Sequence, residues 1–310
     1  MIDTCLSCQT PEPGDNLLNG YHPKCSKALF GTRQPPSVPF KSTEVTAEAQ
    51  KMVGRMSISG VQPKLSVIHD RKRHALIVVD TGGLYILKPQ TDRFESLPEN
   101  ENLCMNIASA YEIAVPNHGL LPLKDNRLSY VVKRFDRFED GSKLQQEDFQ
   151  QLLQADDKYS GSYESIANFI KKHSDVPGLD LISLFERALL FFVLGNGDAH
   201  LKNFSLVRRE EIGYQLSPVY DIVNSRLVLP EEKEEMCLSL QGKKNQISKK
   251  DFQRLSEHFG LRSKQVNNAL ERLNALGFLI ETMIEQSFLN DRLKNRFLDI
   301  FRKRMERIFK

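Results

Sequence analysis

Residues 181–194 constrain the fold of this chain more than any other stretch, because they have helical length and are apolar nearly all round. A helix without a polar face must be enclosed on every side, so this segment predicts the central buried helix of a helical unit. It runs without a break into Gly195-Asn-Gly-Asp-Ala-His-Leu-Lys-Asn-Phe204, a polar loop. At 310 residues, 40% hydrophobic and 27% charged, the chain has the size and balance of a globular protein with room for two lobes. Its longest apolar runs are about seven residues, short of the ~20 that span a bilayer. The start, Met1-Ile-Asp-Thr-Cys5, has neither a charged leader nor a long apolar stretch, so a cytoplasmic location is expected.

The two halves differ in pattern. Residues 65–68, 75–79, 84–88 and 128–135 read as strands, and the turn formers Asp80-Thr-Gly-Gly83 predict a strand–turn–strand over 75–88. Ahead of them lie helix-forming residues 43–53, and before the last strand a helix opens at Glu99-Asn-Glu101, with Leu103, Ile107, Ala110, Tyr111 and Ala114 on one face. Beyond Asp136-Arg137 the pattern is mostly helical (148–153, 163–173, 181–194 and the C-terminal third), interrupted by a short hairpin over 204–216. The fold class expected is α+β, with a strand-rich N-lobe over 32–136, a helical C-lobe over 137–310 and a small unit at 1–31. Net charge is +3, too mild to argue for nucleic acid, and the basic run 300–310 alternates with Ile300, Phe301, Met305 and Ile308 as an amphipathic helix would.

The small unit is marked by Cys5-Leu-Ser-Cys8 and His22-Pro-Lys-Cys25, separated by thirteen residues. Two close ligand pairs around a loop suit a tetrahedral zinc site, and a segment this short gains stability from a metal. The alternative is incidental thiols and a surface His. Three prolines over 35–39 mark a linker after it. Cys104 and Cys237, in apolar surroundings, read as buried thiols.

The chemistry collects in the second half. Asp198 precedes Asn203 by five positions, and the hairpin then leads to Tyr220-Asp221. An Asp to accept a hydroxyl proton, followed by an Asn and an Asp to hold magnesium, is the order of a phosphoryl-transfer site, whose transition state is charge to be held in place. Lys88 ends a strand where such enzymes place a phosphate-gripping lysine. A lone Lys there is ordinarily solvated; its register with the other groups is what singles it out. Glu101 is placed to pair with it, although an acidic residue in a first helical turn is equally well explained by the helix dipole.

With these residues assembled, the chain resembles the HipA/HipT family of bacterial toxin serine/threonine kinases from about residue 55 onward. The resemblance rests on Ser57-Ile-Ser-Gly-Val-Gln-Pro-Lys64, Ile86-Leu-Lys-Pro89, Asn100-Glu101, Lys133-Arg-Phe-Asp-Arg137, Gly195 to Phe204, Pro218-Val-Tyr-Asp221 and Leu238-Ser-Leu-Gln-Gly-Lys-Lys244, in that order. It implies a two-lobed, protein-kinase-like fold that binds ATP and Mg²⁺ between its lobes. The phosphate-binding loop falls on Ser59, Gly60, Val61, Gln62, Pro63 and Lys64, and the phosphate-gripping lysine on Lys88. The adenine hinge falls on Lys133, Arg134 and Phe135. Asp198 becomes the proton acceptor, His200, Lys202, Asn203 and Tyr220 nucleotide contacts, and Asn203 with Asp221 the Mg²⁺ ligands. Ser57 and Ser59 are both candidates for the family's inhibitory autophosphorylation.

Full-length HipA proteins carry a further N-terminal subdomain for which there is no room before Arg55, so the short HipT type is the nearer likeness. The partners implied are a protein substrate, an aminoacyl-tRNA synthetase whose modification halts translation, and two antitoxins. One antitoxin is a small protein like the HipA N-subdomain; the other is a DNA-binding HipB-like protein, through which any contact with DNA would be made. No membrane partner is expected. Two other readings stand beside this one: a kinase of a small alcohol or lipid headgroup, and a catalytically silent repressor module held by its antitoxin. The Cys/His unit lies outside the family's pattern.

Overall fold

A five-stranded antiparallel sheet organises the first of two compact units in the computed structural model, which describes residues 4–11, 16–50, 62–229 and 231–310. Its strands are β1 (Leu65–Asp70), β2 (Ala75–Val78), β3 (Tyr85–Pro89), β4 (His118–Pro122) and β5 (Leu128–Lys133), in the order β2-β1-β3-β5-β4. The expected strand–turn–strand over 75–88 is not a hairpin. β2 and β3 both pair with β1 and lie on either side of it, because Val67 reaches Val78 on one edge and Tyr85 on the other. α1 (Pro23–Phe30) and α2 (Val45–Gln50), the latter preceded by a 3₁₀ turn at Ser42–Glu44, complete the N-terminal part. The helix expected over 43–53 thus starts at Val45, after the 3₁₀ turn, and residues 51–53 lie outside the described ones. α3 (Leu97–Ala110) starts two residues earlier than Glu99, which moves Glu101 from the first turn to the second.

The first unit takes in the N-terminal segment through residue 106, residues 116–143 and a short piece at 286–289. The Cys/His segment is therefore part of it. β4 was not anticipated: it holds Gly119 and Pro122, which strands disfavour, and it is an edge strand, where both are tolerated. A Cβ on Gly119 would lie 2.5 Å from Tyr21 Oη and 3.2 Å from Ser7 Cα, so only glycine lets the N-terminal segment seat there.

The second unit covers 107–115, 144–285 and 290–310. At its centre runs α6 (Pro177–Leu194), with every residue from Arg187 to Leu194 buried. Pro177 starts this helix four residues ahead of the expected 181, in the first-turn position where a missing N–H costs nothing. α5 (Tyr163–His173), α8 (Lys249–Phe259), α9 (Ser263–Ala275) and α11 (Asp291–Phe309) pack around it. Phe252 sets its ring edge-on against Phe185 and Phe192 of α6, with centroids 6.3 and 5.7 Å apart. α4 (Phe149–Leu152), α7 (Ser225–Val228) and α10 (Gly277–Gln286) fill out the unit. A second antiparallel sheet, β6 (Gln146–Asp148), β7 (Ser205–Arg209) and β8 (Gly213–Leu216), contains the expected hairpin as its β7–β8 pair.

The C-terminal basic run is an amphipathic helix as its pattern predicts, but two of its cations face inward. Arg304 is buried and donates to Phe192 O, and Arg307 meets Glu235 at 2.5 Å. Among the described residues, no helix is long and apolar enough to cross a membrane.

Candidate active site

In the first unit, register puts Lys88 of β3 opposite Tyr130 of β5, and the ammonium lies 5.6 Å from that ring's centroid. Lys88 is 4% exposed and Glu101 1%, and Nζ donates to Glu101 Oε1 at 2.6 Å. A charge this enclosed has to be paired, and the Glu on α3 does so. The helix-dipole explanation belongs instead to Glu99, which sits in the first turn. There burial outweighs the helix terminus and pushes the Glu99 carboxyl up to about 7.

Gln62 is buried, and its side-chain amide donates to Pro89 O at 2.7 Å and Lys88 O at 3.4 Å. It ties the end of the 57–64 segment to the strand that carries Lys88. Pro63 is half-buried and Lys64 exposed. Ser57, Ser59, Gly60 and Val61 lie outside the described residues. Lys133, Arg134 and Phe135 are half-buried at the end of β5. The amides of Lys133 and Arg134 are donated to Asn117 O and Leu84 O, both at 2.8 Å. The Arg134 guanidinium grips Asp136 with two bonds of 3.0 and 2.8 Å, and Arg137 adds a third. Burial alone would raise the Asp136 carboxyl, but these two cations hold it below the usual range.

In the second unit, α6 ends on Gly195 at φ 78°, and the turn places Asp198 in the open while Asn196, His200 and Asn203 are buried. Gly197 N donates to Ser225 Oγ at 2.8 Å, pinning the turn to α7. Asn203 closes a 3₁₀ turn: its Oδ1 accepts from His200 N at 2.9 Å and its Nδ2 donates to Asp221 Oδ2 at 3.4 Å. Asp221 itself has φ 61°, a left-handed conformation that Asp tolerates better than most residues. Tyr220 donates to Lys202 O at 2.9 Å and also meets Ser205 Oγ. Burial pushes its phenol above the ordinary range.

Two charged residues inside the apolar helix keep these parts in register. Asp180 accepts from Leu216 N at 2.8 Å, and Arg187, 2% exposed, donates to Ser217 O at 2.5 Å. Both hold the segment that delivers Asp221 against the helix that delivers Asp198. Sequence reasoning missed them as site supports, and missed Lys158, whose Nζ lies 3.0 Å from His200 Nε2. A charge within a nearly all-apolar stretch was the available signal for Arg187; Asp180 lies just ahead of that stretch and Lys158 in an ordinary-looking turn.

The site residues therefore form two sets. One is the buried Lys88–Glu101 pair. The other juxtaposes an exposed carboxylate, a buried amide and a half-buried carboxylate, and the hard oxygens of Asn203 and Asp221 are a donor set suited to Mg²⁺.

A third cluster lies in the first unit. Ligand atoms of Cys5, Cys8, His22 and Cys25 all fall within 4.8 Å of one another. His22 Nδ1 is 3.3 Å from Cys8 Sγ and 3.8 Å from Cys25 Sγ. Hydrogen bonds among the thiols, Cys25 to Cys8 first, hold Cys8 well below the ordinary thiol range, while those to Cys5 and Cys8 push Cys25 above it. A tetrahedral zinc site with bonds of about 2.0–2.3 Å has ligand–ligand edges of roughly 3.3–3.8 Å, which both His22–thiol separations match, and three thiols with one imidazole are a donor set that suits zinc.

The sequence is 32% identical over 238 residues to a Haemophilus influenzae protein named "Putative kinase", covering 72% of this chain and 68% of that protein. A Sinorhizobium fredii protein, "Putative kinase Y4mE", is 30% identical over 208 residues, 64% of this chain and 48% of the relative. Among solved structures, Shewanella oneidensis HipA, determined with HipB and its operator DNA, superposes with a TM-score of 0.69 at 20% identity. That match covers 87% of this chain and 70% of HipA, and establishes a kinase-like, HipA-type fold. The family model described as "HipA-like C-terminal domain" matches residues 56–277, and the chain belongs to that family.

Proposed function

We propose that this chain is an ATP- and Mg²⁺-dependent protein serine/threonine kinase and the toxin of a toxin–antitoxin system. The observation that carries the reading is the Asn203–Asp221 pair, brought to 3.4 Å from positions eighteen residues apart, beside the loop that presents Asp198. Lys88, oriented by Glu101, binds phosphate oxygens of ATP. Asp198 orients the substrate hydroxyl and accepts its proton as the oxygen bonds to the γ-phosphorus and the bond to ADP breaks. Mg²⁺ held by Asn203 and Asp221 would neutralise charge on the phosphates. With the amides of Lys133 and Arg134 already donated, the adenine edge is met by other backbone groups of the 133–135 segment. Ser57 or Ser59 is the site of inhibitory autophosphorylation, which adds about −1.5 to −2 charge beside the nucleotide phosphates.

By family resemblance the substrate is an aminoacyl-tRNA synthetase, and the partners are a small antitoxin and a HipB-like DNA-binding antitoxin. The Shewanella protein's complex with HipB and operator DNA supports the latter partner. Incubating the protein with radiolabelled ATP and cell lysate tests the reading. Labelled protein bands that acid hydrolysis resolves into phosphoserine or phosphothreonine are expected; label confined to small molecules or lipids would transfer the assignment to an alcohol or headgroup kinase.

A further inference from the structure

The turn between Cys5 and Cys8 is tied to both the edge of the large sheet and helix α3. Leu120 N on β4 donates to Leu6 O at 2.8 Å, and Ser7 Oγ donates to His118 O at 2.7 Å. From the other side, Ser7 O accepts from Asn106 Nδ2 at 2.7 Å and from Asn102 Nδ2 at 3.4 Å, both on α3. Asn102 is itself fixed, since its Oδ1 lies 2.9 Å from His118 Nδ1. Ser7 thus joins β4 to α3, and α3 carries Glu101, adjacent to Asn102, whose carboxylate holds Lys88.

The Cys/His cluster surrounds the Ser7 turn, which backbone bonds from Leu6 N to Gly20 O at 2.8 Å and Gln9 N to Cys5 O at 2.9 Å also brace. Cys5 and Cys8 bracket Ser7, and His22 and Cys25 approach from the start of α1. His22 N donates to Cys5 Sγ at 3.4 Å, an N–H···S bond that favours a thiolate ligand. Leu6, Tyr21 and Phe30 bury apolar surface on the unit, and Tyr21 Oη donates to Leu120 O at 2.7 Å, so the four ligand groups add to packing and backbone bonds where the two ends of the segment meet.

We propose that Cys5, Cys8, His22 and Cys25 bind one zinc ion, and that the ion acts as a positioning device, holding Ser7 on α3 so that Glu101 stays on Lys88. The site joins a metal to the helix that orients the phosphate-gripping lysine. Its consequence for catalysis rests on the kinase reading above, whereas the binding and its effect on α3 do not.

The test uses the full chain purified without chelator. Zinc is quantified by elemental mass spectrometry, then released with a mercurial thiol reagent, and amide exchange is followed in α3 and in α6. One zinc per chain is expected, and its removal should speed exchange in α3 by at least about tenfold while α6 keeps its protection. Cys8→Ser should do the same, and Cys25→His, which preserves four ligands, should retain both zinc and protection. Asn106→Ala keeps the ligands and cuts the link, so it should stay zinc-loaded yet exchange faster in α3 and raise the KM for ATP several-fold more than it lowers kcat.

A chain that takes up no zinc even on reconstitution would overturn the site. Parent-like α3 exchange in the zinc-free chain, or in zinc-loaded Asn106→Ala, would overturn the coupling. Absence of phosphoryl transfer from the zinc-loaded parent would count against the kinase reading alone.

Discussion

Asp221, at φ 61°, shows how backbone and chemistry are chosen together. Asn adopts the left-handed region as readily as Asp, so Asp221→Asn should leave the urea midpoint near the parent's and remove only a charged magnesium ligand. A loss of roughly 10²-fold or more in phosphoryl-transfer rate is expected; an undiminished rate would place the metal elsewhere. Glu99 gives a pH signature. Its folded-state value of about 7 lies above the ordinary 4.5, so the folded chain binds the extra proton between these values. The stability this contributes is full below pH ~4.5 and is lost as pH rises through ~7. Relative to Glu99→Gln, the parent should lose up to roughly 3 kcal/mol across that window, and parallel urea curves would refute it. The roles proposed for Lys88, Asn203 and Asp221 are suggested by the sequence because each stands in an ordered motif. Gln62's anchoring of β3 is not, since nothing in an exposed-looking loop marks a side chain that turns inward.

At the level of elements, α6 was legible because an all-apolar helix has one place to go, while the order of the sheet was not. β1, β2 and β3 are short and similarly apolar, and adjacency in sequence favours a β2–β3 hairpin that the register excludes. β4 was hidden by Gly119, whose missing side chain is needed by a segment over a hundred residues earlier. Long-range contacts of this kind leave no local pattern. The junction of α6 with the Asp198 loop makes its own prediction. Gly195 has φ 78°, and an added Cβ would lie 2.8 Å from Asn224 Oδ1. Gly195→Ala should therefore cost about 1–3 kcal/mol by chemical denaturation and lower activity through a displaced Asp198. An unchanged midpoint would show that the turn does not need the left-handed residue.

Across the whole molecule, each unit supplies one part of the proposed chemistry, and each part is buttressed by structure outside the family's motifs. The Lys88–Glu101 pair is backed by α3 and the Cys/His segment; the Asp198, Asn203 and Asp221 set is backed by Asp180 and Arg187 of α6. The N-terminal segment read from sequence as a separate unit, because its cysteine spacing is self-contained. Its hydrogen bonds to Leu120 and His118 instead build it into the first unit. The central claim is that this constellation transfers phosphate to a protein hydroxyl, with Asp198 as proton acceptor. The most direct measurement is a quantitative phosphoproteome after brief induction of the parent chain or of Asp198→Asn, which should lower the rate by about 10²–10⁴ while leaving the fold intact. The account predicts serine or threonine sites on an aminoacyl-tRNA synthetase that appear with the parent and are absent with Asp198→Asn. The same phosphosites at equal occupancy with both forms, or none that depends on either, would contradict it.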